Sequence, residues 1–223
     1  MNLPELHRRL LLDVLEIGVE FPLVIAGGYA VKAHGLVDRP SRDLDFATTT
    51  ATDTHDIATL LRKGLEQRGW SVRELQVAPL AVRFMVTEPV TGQTCEVDIL
   101  KDVFTRPPAA TELGLALSLD DIVAAKVRAL GGRGVARDFI DVHAAADVWS
   151  FTGLETLAEQ HVFGEYDLAS LRARLAGAEW IDDSEFEAYG LVEGDIAEIR
   201  AWAQRWADDI DRRLIRDSEE YTD

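Results

Sequence analysis

One cysteine, two methionines and an aromatic content of 8% leave this 223-residue sequence short of what several protein classes need. Cys95 stands alone, so no disulfide can close within the chain, and such usage is expected of a reducing cytoplasm. A solitary cysteine reads first as a small buried apolar residue rather than a nucleophile. No stretch approaches the roughly 18 uninterrupted apolar residues that span a bilayer, so no membrane partner is expected. The opening residues, MNLPELHRRLLLDVLEIGVE, scatter carboxylates among apolar side chains and offer no small-residue cleavage site. They describe an amphipathic helix, not a signal peptide.

Positive charge is also scarce. Lys and Arg number 23 against 40 Asp and Glu, a formal net charge of −17, which speaks against a general nucleic-acid binder because affinity for phosphate backbones comes from cations. The imbalance is uneven: residues 1–146 hold 20 acidic and 16 basic side chains, and residues 147–223 hold 20 and 7. If three acids of the front part hold metal, that part is near neutral and an anionic substrate is not excluded there. The acidic rear is either a docking surface for a basic partner or a solvated face that aids solubility.

What is present is an apolar content of 47%, enough for an ordinary core, and a clear order of elements. Residues 3–20 carry Leu6, Leu10, Val14 and Ile17 on one helical stripe. Leu23–Ala26 reads as a strand broken by Gly27-Gly28, with a short helix from Tyr29 to His34. A strand with Asp43-Leu44-Asp45-Phe46 follows, then a helix capped by Thr54 and closed near Gln67 by Gly69. Strands are expected at Trp70–Leu75, Leu80–Thr87 and Thr94–Leu100, the last two joined by the turn residues Glu88 to Gly92. Phe104 to Leu115 reads as linker, followed by helices at Asp121–Leu130 and Ala136 to about Trp149. The remainder is helical by pattern: Leu154–Val162, Leu168–Ala176, Asp183–Tyr189, and a final helix from about Gly194 to Arg216 ahead of a frayed end. Within that helix Trp202, Trp206 and Ile210 fall on one docking stripe. The expectation is an α+β fold: a small mixed sheet flanked by helices in residues 1–116, and a helical region over 117–223.

Side chains on a strand alternate between faces, so Ser41, Asp43 and Asp45 share one face while Leu44 and Phe46 enter the core. Two carboxylates about 7 Å apart repel unless something positive lies between them. Hard divalent cations such as Mg²⁺ or Mn²⁺ commonly bridge one or two carboxylates to a substrate's phosphates. The plainer alternative is neutralisation by Arg39 or Arg42 on a solvated edge strand. On the later strand Glu96 and Asp98 share a face, and Asp98 sits among Val97, Ile99 and Leu100, where an uncompensated charge is costly. If the two strands are neighbours, Asp98 completes a carboxylate cluster, while Glu96 is expected in a salt bridge facing Arg83. Lys126 leaves a largely apolar helix, and Asp138 and Asp141 share a helical face next to Arg137. These form either a structural ion-pair network or a triphosphate-holding lysine oriented by one of the two aspartates.

Strand, Gly-Gly turn, Asp-x-Asp strand and a third Asp together describe a two-metal phosphoryl- or nucleotidyl-transfer site. Asp43 and Asp45 would ligate the ions. Asp98 would hold the second ion and accept the nucleophile's proton, and the Gly27-Gly28 backbone with Ser41 would hold the triphosphate.

AGGYAVKAHG followed by RPSRDLDF resembles the GG…S-x-D-x-D signature of the DNA polymerase β-like nucleotidyltransferases. Lys126-x-Arg128 and Arg137-Asp138-x-x-Asp141 resemble segments of the AbiEii-type toxins, which include the MenT group. The likeness is strong over 23–46 and moderate over 94–146. The family's commoner Lys-Asp pair is Arg137-Asp138 here. The resemblance implies a nucleotidyltransferase fold, with Gly27, Gly28, Ser41, Asp43 and Asp45 as nucleotide and metal positions. It further implies Lys126 as the triphosphate-binding lysine and Asp138 as the late functional aspartate. Its implied activity is that of a cytoplasmic toxin transferring nucleotides from an NTP to RNA, at the 3′ end of tRNA, and arresting translation, with a cognate antitoxin as partner. The same GG…R-x-x-R-D-L-D-F layout also resembles antibiotic nucleotidyltransferases acting on aminoglycosides or lincosamides, which the acidic balance suits. A non-catalytic nucleotide- or partner-binding module is the third reading.

Overall fold

A computed structural model describes residues 3–160 and 166–220. The chain folds as two compact units, one comprising the chain up to Gly35 with Pro40–Ile122, the other Leu36–Arg39 with the chain from Val123 on. This division falls within a helix, six residues after the expected boundary at 116/117, and gives four early residues to the second unit.

The first unit is built on α1 (Glu5–Ile17), β1 (Val24–Ile25), α2 (Gly27–Ala33), β2 (Asp43–Thr48), α3 (Thr54–Gln67), β3 (Ser71–Ala78), β4 (Ala81–Thr87), β5 (Thr94–Lys101), β6 (Ala109–Thr111) and β7 (Gly114–Ala116). Among the described residues the strands form one mixed sheet in the order β3-β4-β5-β2-β1-β7-β6. The β2–β5 and β1–β7 pairs are parallel and the others antiparallel.

The alternation read from the sequence sets the faces. Leu44 and Phe46 on β2, Val82, Phe84 and Val86 on β4, and Val97 and Ile99 on β5 are buried together. Helix α3 packs on β3 and β4, and α1 packs on α3. Asp43, Asp45, Glu96, Asp98 and Arg83 take the alternate positions and so share the other face.

Four local expectations are corrected. Gly27 and Gly28 open α2 rather than separating a strand from it, because Gly27 adopts φ +55, which lets the chain turn directly into the helix. Asp53, not Thr54, caps α3 by accepting from the His55 amide at 2.7 Å. Strand β3 continues to Ala78 past a bulge at Leu75, where the two-residue rhythm breaks. The expected linker over 104–115 contains the β6–β7 hairpin, turned at Gly114 (φ +124), and its second strand joins the sheet beside β1.

The second unit is helical. Helix α4 (Leu119–Gly132) leads into it, followed by α5 (Ala136–His143), α6 (Phe151–Gln160), α7 (Leu168–Ala176), α8 (Asp183–Glu187) and α9 (Glu193–Glu220). Helix α5 stops six residues short of the expected Trp149, where Ala145 and Ala146 switch to bonds three residues back. Residues 161 and 162 of the expected sixth helix, and the last three of the end expected to fray, lie outside the described residues; α9 itself runs to Glu220.

Trp202, Trp206 and Ile210 are buried as their spacing required, and Phe151 stacks on Trp206 with ring centroids 5.3 Å apart. The buried carboxylate of α6, Glu155, accepts from Trp206 Nε1 at 2.7 Å and from both terminal nitrogens of Arg213 at 2.8 and 2.6 Å. Among the described residues no helix is long and apolar enough to cross a membrane.

Phe84 is fully buried where β4 meets α3. Phe84→Ala is expected to lower the unfolding free energy by about 3–5 kcal/mol, read as a lower urea midpoint with secondary structure retained in the absence of denaturant.

Candidate active site

Strand β2 carries Asp43 and Asp45 two residues apart, and β5 lies beside it in parallel register, with Asp45 directly opposite Asp98 and Asp43 opposite Glu96. The adjacency on which the carboxylate cluster depended is therefore present, and all three aspartates stand on one face.

Each carboxylate has its own restraint. Ser41 Oγ donates to Asp43 Oδ1 at 3.0 Å, so the serine expected at a triphosphate here orients the first aspartate. Asp45 lies hard against α2: a Cβ added to Gly27 would stand 1.7 Å from Asp45 Oδ2. Gly27 is thus required twice, by its left-handed backbone and by the carboxylate filling the space of its absent side chain. Within α2, Tyr29 is buried with its hydroxyl hydrogen-bonded to His7 Nδ1 of α1. Burial lowers the His7 pKa from its usual value, although the charge of Asp43 acts in the opposite sense.

Asp98 meets a cation. Arg83 on β4, its register partner, forms a two-pronged bond, Nε to Oδ1 and Nη2 to Oδ2, both 2.7 Å. The same Nε lies 3.2 Å from Glu96, so the salt bridge expected between Arg83 and Glu96 is present as well. The hydrogen bond to Asp98 is the main cause of a raised Arg83 pKa; desolvation opposes it, and the charges of Asp98, Glu96 and Asp45 add to it. One guanidinium is therefore embedded in the field of three carboxylates.

Among the described residues no three His, Cys, Asp or Glu side chains are arranged to hold one metal ion. That excludes a ready-made protein cage, not the pattern in which Mg²⁺ takes one or two carboxylates and completes its shell with water and substrate phosphate. Asp43 and Asp45 suit that pattern, being adjacent, hard oxygen donors on a rigid strand.

Cys95 on β5 is 1% exposed, and burial, reinforced by the charge of Asp43, pushes its thiol up to about 12. It is a core residue, as its isolation suggested, and no nucleophile near neutral pH.

The second unit holds the remaining expected residues. Lys126 on α4 is buried, and its Nζ lies 2.9 Å from Asp141 Oδ2. Asp141 is also gripped by Arg39, whose Nε and Nη2 reach Oδ1 and Oδ2 at 2.6 Å each while its guanidinium lies over the Tyr189 ring. Burial alone would raise the Asp141 pKa; the Arg39 hydrogen bonds and the Lys126 charge overcome it and leave the carboxyl below its usual value. Lys126 therefore belongs to a buried ion-pair network, and its aspartate is Asp141. Asp138, the expected late functional aspartate, is fully buried at the start of α5, bonded to Arg133 at 2.8 Å through both oxygens and accepting from the Val135 amide at 3.3 Å. Its visible task is to cap that helix.

Sequence reasoning missed two participants. Arg39 was considered only as a neutraliser of the β2 pair, and its location before Pro40 carries no sign of a partner 102 residues later. Arg83 was placed opposite Glu96, and its stronger bond to Asp98 depended on the exact β4–β5 register. Asp121, expected only to begin a helix, is a further buried carboxylate, tied to Ser118 and to the Thr105 and Arg106 amides.

Comparison with solved structures first gives the class. The chain is 18% identical to JHP933 from Helicobacter pylori, over 99% of this chain and 98% of that one, with a TM-score of 0.57. It is 18% identical to MenT4, the nucleotidyltransferase toxin Rv2826c of Mycobacterium tuberculosis H37Rv, over 96% and 89% of the two chains, with a TM-score of 0.59. At such identities the likeness is one of fold, that of the polymerase β-like nucleotidyltransferases. No curated protein matches the sequence. The family follows from a match to the model of the nucleotidyl transferase AbiEii toxin, type IV toxin–antitoxin system, over residues 9–219: this chain belongs to that family.

Two outcomes are expected. Gly27→Ala forces a left-handed alanine and displaces the Asp45 carboxylate, so urea denaturation should show a loss of about 1–3 kcal/mol, with Mn²⁺ binding weakened beyond what folding explains. Asp141→Asn leaves Arg39 and Lys126 buried with their charges unmet, a cost of about 3–5 kcal/mol. Because the folded pKa of Asp141 is depressed, its contribution is present above about pH 4 and is lost as pH falls through the folded value. The mutant's deficit should therefore be largest near neutrality and shrink in acid, measured by denaturation across pH.

Proposed function

We propose that this protein transfers a nucleotide from an NTP to an RNA acceptor, the 3′ end of a tRNA, as the toxin of a toxin–antitoxin pair. The observation that carries the reading is the juxtaposition of Asp43 and Asp45 on β2 with Asp98 directly across on β5, beside the side-chain-free start of α2. In such a reaction the acceptor hydroxyl oxygen bonds to the α-phosphorus, the bond to the bridging oxygen of the β-phosphate breaks, and pyrophosphate departs.

Asp43, aligned by Ser41, and Asp45, braced against Gly27, are the residues that would hold Mg²⁺ or Mn²⁺. When bound, such an ion offsets the charge of the triphosphate and of the developing oxyanions. Gly27 and Gly28 present bare backbone to the phosphates, and Asp98 is the carboxylate available to take the acceptor's proton once Arg83 releases it. Lys126, ion-paired with Asp141, is the residue to which the family resemblance assigns the triphosphate. An antitoxin is the expected partner by family, and the surplus of carboxylates after residue 147 would suit a basic one. The family match weighs against the drug-modifying reading, which the acidic balance alone supported.

Incubating the protein with Mg²⁺, each labelled NTP and total tRNA should place label in tRNA. Label entering an aminoglycoside panel and not tRNA would contradict the assigned acceptor. Asp45→Ala should abolish transfer while leaving the fold intact by circular dichroism; an active Asp45→Ala protein would refute the cation assignment.

A further inference from the structure

Arg83 is the residue of this sheet face that the transfer chemistry does not call for. It projects from β4 opposite Asp98, with its guanidinium against both oxygens of that carboxylate and within 3.2 Å of Glu96. A two-pronged Arg–carboxylate pair is among the stronger side-chain contacts available, and it places a full positive charge directly against the Asp98 carboxylate that a second ion would need. A divalent cation ligated by Asp98 and this guanidinium would repel one another and draw on the same carboxylate charge, so each weakens the hold of the other.

We infer that Arg83 is an exchangeable internal counter-ion, occupying the second-cation position beside Asp98 in the unliganded protein and giving way when a divalent cation enters. The inference rests on the cation-binding reading of Asp43, Asp45 and Asp98 given above.

The geometry provides for the exchange. The Arg83 side chain is 45% exposed although that of Asp98 is only 12% exposed, so the guanidinium can move into solvent while the carboxylate remains. Glu96 already touches Nε from the same strand as Asp98, so Arg83 has a second anion to retain it after release. While Arg83 is in place, the three-carboxylate face carries an internal cation and no multivalent metal is needed to keep Asp45 and Asp98 together. The protein would therefore take up its first divalent cation readily, at Asp43 and Asp45, and its second only at the expense of the Arg83–Asp98 bond. Arg83 acts through Asp98 and is a positioning residue rather than a catalytic one.

Binding linkage makes this testable without turnover. Mn²⁺ is titrated into the full-length protein with no nucleotide, with bound ions counted by electron paramagnetic resonance and affinities measured by calorimetry. Wild type should show one saturable site. Arg83→Gln should bind a second ion, or bind it about tenfold tighter or more, because the competing charge is gone. Arg83→Lys, which keeps the charge but not the fork, should fall between them, and adding Asp98→Asn to Arg83→Gln should remove the gain. One identical Mn²⁺ site in wild type and Arg83→Gln overturns the exchange while leaving the Asp43/Asp45 reading standing. No Mn²⁺ bound by either protein overturns both.

Discussion

Negative charge crowded on one face of a sheet has to be met by positive charge, and the first unit is arranged around that requirement. Asp43, Asp45, Glu96 and Asp98 occupy two adjacent parallel strands in register, where their mutual repulsion works against the fold. The sheet answers in part with the Arg83 guanidinium from the neighbouring strand β4. It meets Asp98 and Glu96 directly, while a serine hydroxyl donates to Asp43 and Asp45 lies against the backbone of Gly27. The buried carboxylates of the second unit are likewise enclosed by donors: Asp138 by Arg133 and a backbone amide, Asp141 by Arg39 and Lys126, Glu155 by Trp206 and Arg213. The β2 aspartates stand on the face away from the core, at half-buried positions.

Much of this was legible in the sequence because it depends on rules of short range. The two-residue period placed Leu44 and Phe46 inside and Asp43 and Asp45 together outside, and the same period put Asp98 on a shared face with Glu96. The Trp202, Trp206 and Ile210 stripe was a matter of helical spacing. What escaped depends on pairing between distant segments or on single irregular residues. The β6–β7 hairpin is three residues per strand, too short for periodicity, and becomes strand only because β7 finds β1. The bulge at Leu75 breaks the alternation that reveals strands. The choice between Asp138 and Asp141 as the partner of Lys126 could not come from their shared helical face, since three residues' difference decides which meets a lysine on another helix.

The second unit encloses Lys126 in a buried ion-pair network: its Nζ meets Asp141, and Arg39 grips the same carboxylate with fixed, forked geometry. Arg39 belongs to the short segment 36–39 that packs with this unit although its sequence neighbours belong to the first. The segment leading to the Ser41-x-Asp43-x-Asp45 strand is thereby tied down by an ion pair.

The central claim, that Asp43 and Asp45 gather a divalent cation for an NTP, is tested most directly by a crystal structure of the full chain grown with Mn²⁺ and a non-hydrolysable NTP. The account predicts an anomalous-scattering peak coordinated by both of these carboxylates and by phosphate oxygens. Nucleotide bound with its manganese held elsewhere, and neither aspartate among the ligands, would contradict it.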